Sequence, residues 1–237
     1  MNENLIVALD VDEPTALELA ESLSGVVRWV KVGMTLFYAH GPAIVSRFRA
    51  AGFDVFLDLK LHDIPHQVEG AARSVASLGA GMLTVHASGG GDMVAAAVRG
   101  AREGAATAGV EPPAILAVTV LTSMDDAGLG LVGVPRSSAE QVSLLAGLAM
   151  GAGADGVVCS PLEAAAMRDL LGPEALVVTP GVRPQWSSKG DQSRVLTPTQ
   201  ALGAGATHLV VGRPITGASD PADAARRIIA ETEEGTP

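Results

Sequence analysis

The chain has a single cysteine, Cys159, in 237 residues. That excludes an internal disulfide framework and makes a reducing cytoplasm the expected compartment. Aromatic residues make up only 3%, so a surface that stacks nucleic-acid bases is not expected. Positive charge is also short. The formal net charge is −10, whereas nucleic-acid binding demands a basic face. No apolar run approaches the roughly 20 residues of a membrane-spanning helix. Met1-Asn2-Glu3-Asn4 carries no basic residue, and the apolar run after it is five residues long; a signal peptide is not expected.

Lysine is the most informative shortage. The sixteen cations divide into thirteen arginines and only Lys31, Lys60 and Lys189. Routine positive charge is therefore supplied by arginine, yet Lys31 and Lys60 both stand at the ends of apolar, strand-like runs. Arginine holds its proton in proteins, whereas lysine can release one. Buried ion pairing and proton chemistry are both open readings at this point.

What is present is a regular alternation. Strand-like runs occur at Leu5–Asp10, Trp29–Gly33, Val55–Lys60, Met82–His86, Ala114–Leu121, Gly156–Cys159, Ala175–Thr179 and His208–Val211. Helical spacing occupies Glu13–Ser24, Pro42–Ala51, Pro65–Leu78, Gly91–Ala106, Ala139–Met150, Leu162–Leu171, Thr199–Gly203 and Pro221–Glu233, several of them stopped by glycine. Eight such units predict an α/β fold of the closed (β/α)8 TIM-barrel type, as a single domain over 1–237. A doubly wound open sheet is the alternative. The longest polar loop, 181–194, reads as a lid.

In a barrel of this type the chemistry sits at the carboxyl ends of the strands. Asp10, Lys31, Asp58, Lys60, His86, Thr122-Ser123 and Arg213 all fall there, while the strand interiors before them are nearly free of charge. The densest stretch is Asp58-Leu59-Lys60-Leu61-His62-Asp63-Ile64-Pro65. Alternation sends Leu57, Leu59 and Leu61 toward the helices and Phe56, Asp58 and Lys60 inward. After the last strand, Gly212 and Arg213 suit a phosphate: glycine lets backbone approach an oxyanion and arginine binds two of its oxygens. Arg183 in the neighbouring loop adds charge. The histidines show no convincing metal-ligand spacing and read as packing or hydrogen-bonding residues, and Cys159 as a small core residue.

The motif Asp58-x-Lys60-x-x-Asp63-Ile64-Pro65 resembles that of the orotidine 5′-phosphate decarboxylase family. Lys31-Val32-Gly33, Val118-Thr119-Val120-Leu121-Thr122-Ser123, Thr179-Pro180-Gly181-Val182-Arg183, Gly190-Asp191-Gln192 and Gly212-Arg213-Pro214 extend the resemblance over almost the whole chain. The Asp-x-Lys-x-x-Asp core is shared with Mg²⁺-using sister enzymes, the 3-hexulose-6-phosphate synthases and 3-keto-gulonate-6-phosphate decarboxylases, in which a carboxylate is expected at Lys31. The resemblance implies cofactor-free conversion of orotidylate to uridylate and CO₂, with no metal, in pyrimidine biosynthesis. It implies that Lys31, Asp58, Lys60 and Asp63 form an alternating charged array, with Lys60 as proton donor. Asp63 is then donated by a second subunit of a homodimer, Ile64 is expected on the substrate, and Gln67 stands where the family's threonine reaches the partner subunit's ribose. Asp10 is expected on the ribose, Thr122, Ser123 and Gln192 on the pyrimidine, and Arg183, Gly212 and Arg213 on the phosphate. One departure stands out: where the family commonly has Asn-Thr after the proline, this chain has His66-Gln67.

Overall fold

The computed structural model describes residues 2–186 and 196–234. Eight parallel strands close into a barrel in sequence order: β1 (Asn2–Ala8), β2 (Val27–Gly33), β3 (Asp54–Leu61), β4 (Met82–His86), β5 (Ala114–Val118), β6 (Gly156–Val158), β7 (Leu176–Pro180) and β8 (His208–Val211). β8 returns to pair with β1, so the expected (β/α)8 barrel is the observed fold and the open-sheet alternative falls away.

The helices among the described residues are α1 (Glu13–Leu23), α2 (Met34–His40), α3 (Pro42–Ala50), α4 (Pro65–Ala76), α5 (Gly91–Ala108), α6 (Asp126–Leu131), α7 (Ser138–Gly151), α8 (Ala164–Leu171), α9 (Pro198–Gly203), α10 (Arg213–Thr216) and α11 (Pro221–Glu234). Three of them, α2, α6 and α10, are additions to the simple strand–helix alternation. α2 is separated from α3 by Gly41, whose φ of 63° favours glycine. α6 is capped by Asp125, which accepts from the Gly128 amide at 2.8 Å. β5 ends earlier than its apolar run, at Val118, and beyond it the chain turns, the Met124 amide donating to the Leu121 carbonyl at 2.8 Å. None of the helices among the described residues is long and apolar enough to cross a membrane.

Two apolar layers follow from strand alternation. Inside the barrel, Ile6, Ala8, Phe56, Met82, Leu116, Val178 and Val210 pack together. Outside it, Val7, Val30, Val32, Leu57, Leu59, Leu83 and Val85 pack under the helices. α4 and α5 lie so close that a β-carbon at Gly100 or Gly104 would fall on the carbonyls of Glu69 and Arg73. This packing fixes the loop after β3, because α4 begins at Pro65, immediately beyond it.

The amino-terminal end is closed by the Trp29 indole. A β-carbon at Gly81 would lie 2.6 Å from that ring, and His208 meets it edge-on at 6.1 Å between centroids. On the surface nearby, Arg28 bridges Glu3 and Asp54.

Candidate active site

The carboxyl end of the barrel is built differently. Ala8, Lys31 and Phe56 lie in register across β1, β2 and β3, and Gly33 is level with Asp58. Lys31 therefore rises from the apolar interior into the space that Gly33 leaves open. A β-carbon at Gly33 would lie 2.9 Å from Asp10 Oδ1 and 3.2 Å from Lys31 Nζ. In that space Lys31 Nζ meets Asp10 Oδ1 at 2.9 Å and Asp58 Oδ2 at 3.4 Å, while Lys60 Nζ meets Asp58 Oδ1 at 2.7 Å. The side chains run from buried to wet: Lys31 is 8% exposed, Asp58 14%, Lys60 24% and Asp10 64%.

The charges in this row hold one another in place. Burial works to raise the Asp58 carboxyl, but Lys31 and Lys60, with hydrogen bonds from Lys60 and Thr84, outweigh it and keep the group below the usual carboxylate range. Asp58 is thus an anion at neutral pH between two amines.

β3 is not a regular strand at this point. Leu57 is opposite Leu83, but Leu61 is opposite Val85, so three residues of β3 oppose Thr84 alone. Lys60 has a φ of 52°, the one non-glycine residue with positive φ among the described residues. That left-handed conformation costs an L-residue about 1–2 kcal/mol. Thr84, fully buried, accepts from the Lys60 amide at 2.9 Å and donates its hydroxyl to Asp58 Oδ1 at 3.0 Å. Sequence reading passes over Thr84 as an ordinary strand residue; the available signal was a hydroxyl inside an apolar strand beside the charged one.

These side chains face a cavity of about 530 Å³ at the barrel mouth, within the usual range for small-molecule sites. Asp10, Lys31, Asp58, Lys60, Thr122, Arg183, Gly212 and Arg213 line it, together with Gly33, Pro180 and Gly181. In strand order β7 is diametrically opposite β3, so Arg183 follows the strand across the barrel from Asp58 and Lys60, whereas Arg213 follows β8, next to the strand that leads to Asp10. Other expected residues are not among the described residues that line it: Ser123, Asp63, Ile64 and Gln67. All four are exposed, and the Asp63 carboxylate accepts from the neighbouring Ile64 amide at 2.6 Å. No ion pair among the described residues joins Asp63 to Lys60. Gln192 lies outside the described residues, as does most of the expected lid; at its entry Trp186 stacks under the Arg227 guanidinium, 4.2 Å from the ring centroid.

Two histidines stand beside the row. His62 and His86 have ring centroids 5.2 Å apart. Burial, with His62 and Lys60 nearby, holds His86 below its ordinary value, while Asp58 pulls the other way. Among the described residues no group of three His, Cys, Asp or Glu side chains is placed to hold a metal ion. Cys159 is buried, and burial pushes its thiol up.

A barrel mouth that gathers acids and amines in strict alternation, on a cavity that two arginines also line, belongs to an enzyme that works through placed charge. The chain belongs to the Orotidine 5′-phosphate decarboxylase / HUMPS family, whose profile matches residues 3–228. It is 52% identical over 226 residues to the orotidine 5′-phosphate decarboxylase of Paramagnetospirillum magneticum, covering 95% of this chain and 96% of that one. Identity to the enzyme of the same name from Anaeromyxobacter sp. (strain K) is 53% over 230 residues, covering 97% and 98%. The crystal structure of orotidine 5′-phosphate decarboxylase from Lactobacillus acidophilus is similar at a TM-score of 0.87 and 41% identity, covering 98% and 99% of the two chains.

Proposed function

We propose that this chain decarboxylates orotidine 5′-phosphate to uridine 5′-phosphate in pyrimidine biosynthesis, without a cofactor, with Lys60 delivering the proton to C6. The observation that carries the reading is the continuous row Asp10–Lys31–Asp58–Lys60, each contact between 2.7 and 3.4 Å. Relatives about half identical over nearly the full chain bear the name of that enzyme, which supports the same substrate here.

The chemistry follows from the charges. The bond between C6 and the substrate carboxylate breaks, CO₂ departs, and the electron pair remains at C6 in the ring plane, where no adjacent π-system absorbs it. The Lys60 ammonium stabilises that growing charge, then transfers a proton to form the C6–H bond, and the neutral amine regains a proton from water. The anionic Asp58 beside the substrate carboxylate disfavours the bound ground state. Two unit charges about 4 Å apart interact by roughly 4 kcal/mol at an effective dielectric near 20. Enzymes supply about 8–23 kcal/mol in all, so repulsion alone is insufficient. The remainder comes from preorganised charge and from phosphate binding energy that holds the substrate against the row. Lys60 Nζ lies 2.7 Å from the Asp58 carboxylate, an ion-pair geometry that suits a proton donor better than a Schiff-base nucleophile.

Arg183, Gly212 and Arg213 take the phosphate in this reading, Asp10 the ribose, and Thr122 with Ser123 and Gln192 the pyrimidine. Asp63, Ile64 and Gln67 serve the site of a second copy in a homodimer; their exposure in the single chain supports that assignment. The whole of 1–237 acts as one catalytic domain, and the unpaired Cys159 and small nucleotide substrate are compatible with the cytoplasm.

The test is an ultraviolet assay of orotidylate loss with chelator-treated protein. Undiminished turnover is expected. Orotidylate turnover abolished by chelator and restored by Mg²⁺ would overturn the cofactor-free chemistry, and no turnover under either condition would end the reading.

A further inference from the structure

We infer that Thr84 is a positioning residue for the catalytic pair, fixing the backbone of Lys60 and the carboxylate of Asp58 with a single hydroxyl. The inference rests on the proposed decarboxylation and adds to it a residue from a neighbouring strand. Its basis is the bulge. Where three residues of β3 oppose one of β4, the regular ladder cannot serve the Lys60 amide. A buried amide without a partner costs about 1–3 kcal/mol. Thr84 Oγ1 supplies the acceptor at 2.9 Å, and the same oxygen donates its hydrogen to Asp58 Oδ1 at 3.0 Å.

Each hydrogen bond has its own consequence. The first offsets the cost of the left-handed φ at Lys60, and that φ aims the side chain across Asp58 into the cavity. The second occupies one lone pair of Asp58 Oδ1, the oxygen that also accepts from Lys60 Nζ at 2.7 Å. The carboxylate is then unable to swing toward or away from the substrate without breaking two hydrogen bonds. Because Thr84 is fully buried and its two polar contacts both go to this pair, the hydroxyl is a support for the row. It makes no contact that requires substrate.

The test compares Thr84→Val, which keeps the shape and removes the hydroxyl, with Thr84→Ser, which keeps the hydroxyl. Thr84→Val is expected to lower kcat by about 10- to 100-fold, the range for a misplaced catalytic group, while KM and uridine 5′-phosphate affinity change by less than about threefold, the phosphate and ribose contacts being untouched. The acid limb of the kcat profile moves to higher pH, since Asp58 loses a hydrogen bond that favours its charged form. Thr84→Ser should restore kcat to within about threefold of the wild type. The titration of Asp58, followed by its carboxyl ¹³C resonance, should shift in the same direction in Thr84→Val and return in Thr84→Ser. That resonance needs no turnover, so an inactive wild type would sink the functional reading while the role of Thr84 is still decided. Equal kcat and equal Asp58 titration in wild type and Thr84→Val would overturn the inference. So would a Thr84→Ser variant as impaired as Thr84→Val. Should Thr84→Val not fold, Thr84→Ala carries the same expectation; if neither folds while Thr84→Ser does, Thr84 is a folding determinant and the positioning role is rejected.

Discussion

At the amino-terminal end of the barrel an indole lies against the bare backbone of Gly81 and meets an imidazole edge-on, and the nearby charges stay on the surface as Arg28 with Glu3 and Asp54. At the carboxyl-terminal end, two amines and a carboxylate are withdrawn from solvent, one residue is held in a left-handed conformation, and a cavity is left open. The same strands contribute to both ends: β2 supplies Trp29 to one and Lys31 to the other, two residues along. One end is arranged to lose as little free energy as possible. The other keeps desolvated charge and backbone strain that a purely structural barrel would discard. The difference teaches where to look for function: where the molecule departs from its own packing rules.

Substitutions at the two ends should therefore separate stability from turnover. The largest expected effect on stability is at the closed end. Trp29→Ala removes the partly buried indole that packs on the interior cluster, and unfolding free energy should fall by about 3 kcal/mol, as measured by denaturant titration. The folded fraction should keep wild-type kcat; a kcat loss per folded molecule would blur the distinction between the ends.

A pH dependence comes next, at the same end. Burial holds the His208 imidazole at about 4, against an ordinary 6.5, with Glu3 pulling weakly the other way. The ring is thus neutral in the folded protein, and the unfolded chain takes up the proton first as pH falls. The corresponding stability is fully present above about pH 6.5 and is lost progressively toward about pH 4, by about 2 kcal/mol once its partial exposure is discounted. His208→Gln should flatten the thermal midpoint over that window. An unchanged slope would assign the acid sensitivity elsewhere.

The smallest effect sharpens the account of the open end. Lys60→Gly and Lys60→Ala remove the same ammonium, but glycine adopts a φ of 52° without the β-carbon penalty. The glycine variant should be more stable than the alanine variant by about 1 kcal/mol. Equal stability would mean that the strain at Lys60 has been relieved by local rearrangement.

Much of this contrast is legible in the residues alone. Period-two alternation places Leu57 and Leu59 under the helices and Phe56 and Asp58 inside, as observed. The scarcity of lysine singles out Lys31 and Lys60 before any coordinates. The bulge at β3 is not legible, because nothing in Asp58-Leu59-Lys60 marks a left-handed residue where glycine or asparagine would. The role of Thr84 is hidden for the same reason: its partners are set by a register shift, not by spacing. α2 and α6 escape because each is short and its apolar pattern too brief to carry a helical period. Asp63, Ile64 and Gln67 are exposed in one chain, and the proposed second copy is what would give them something to face.

The central claim is that the Lys60 ammonium supplies the proton, and it is tested most directly by measuring turnover and nucleotide affinity together in Lys60→Ala. The account predicts orotidylate turnover reduced by at least about a thousandfold, with uridine 5′-phosphate bound within about tenfold of the wild-type affinity through Arg183 and Arg213. Turnover retained within about tenfold in a variant that binds the nucleotide would contradict it.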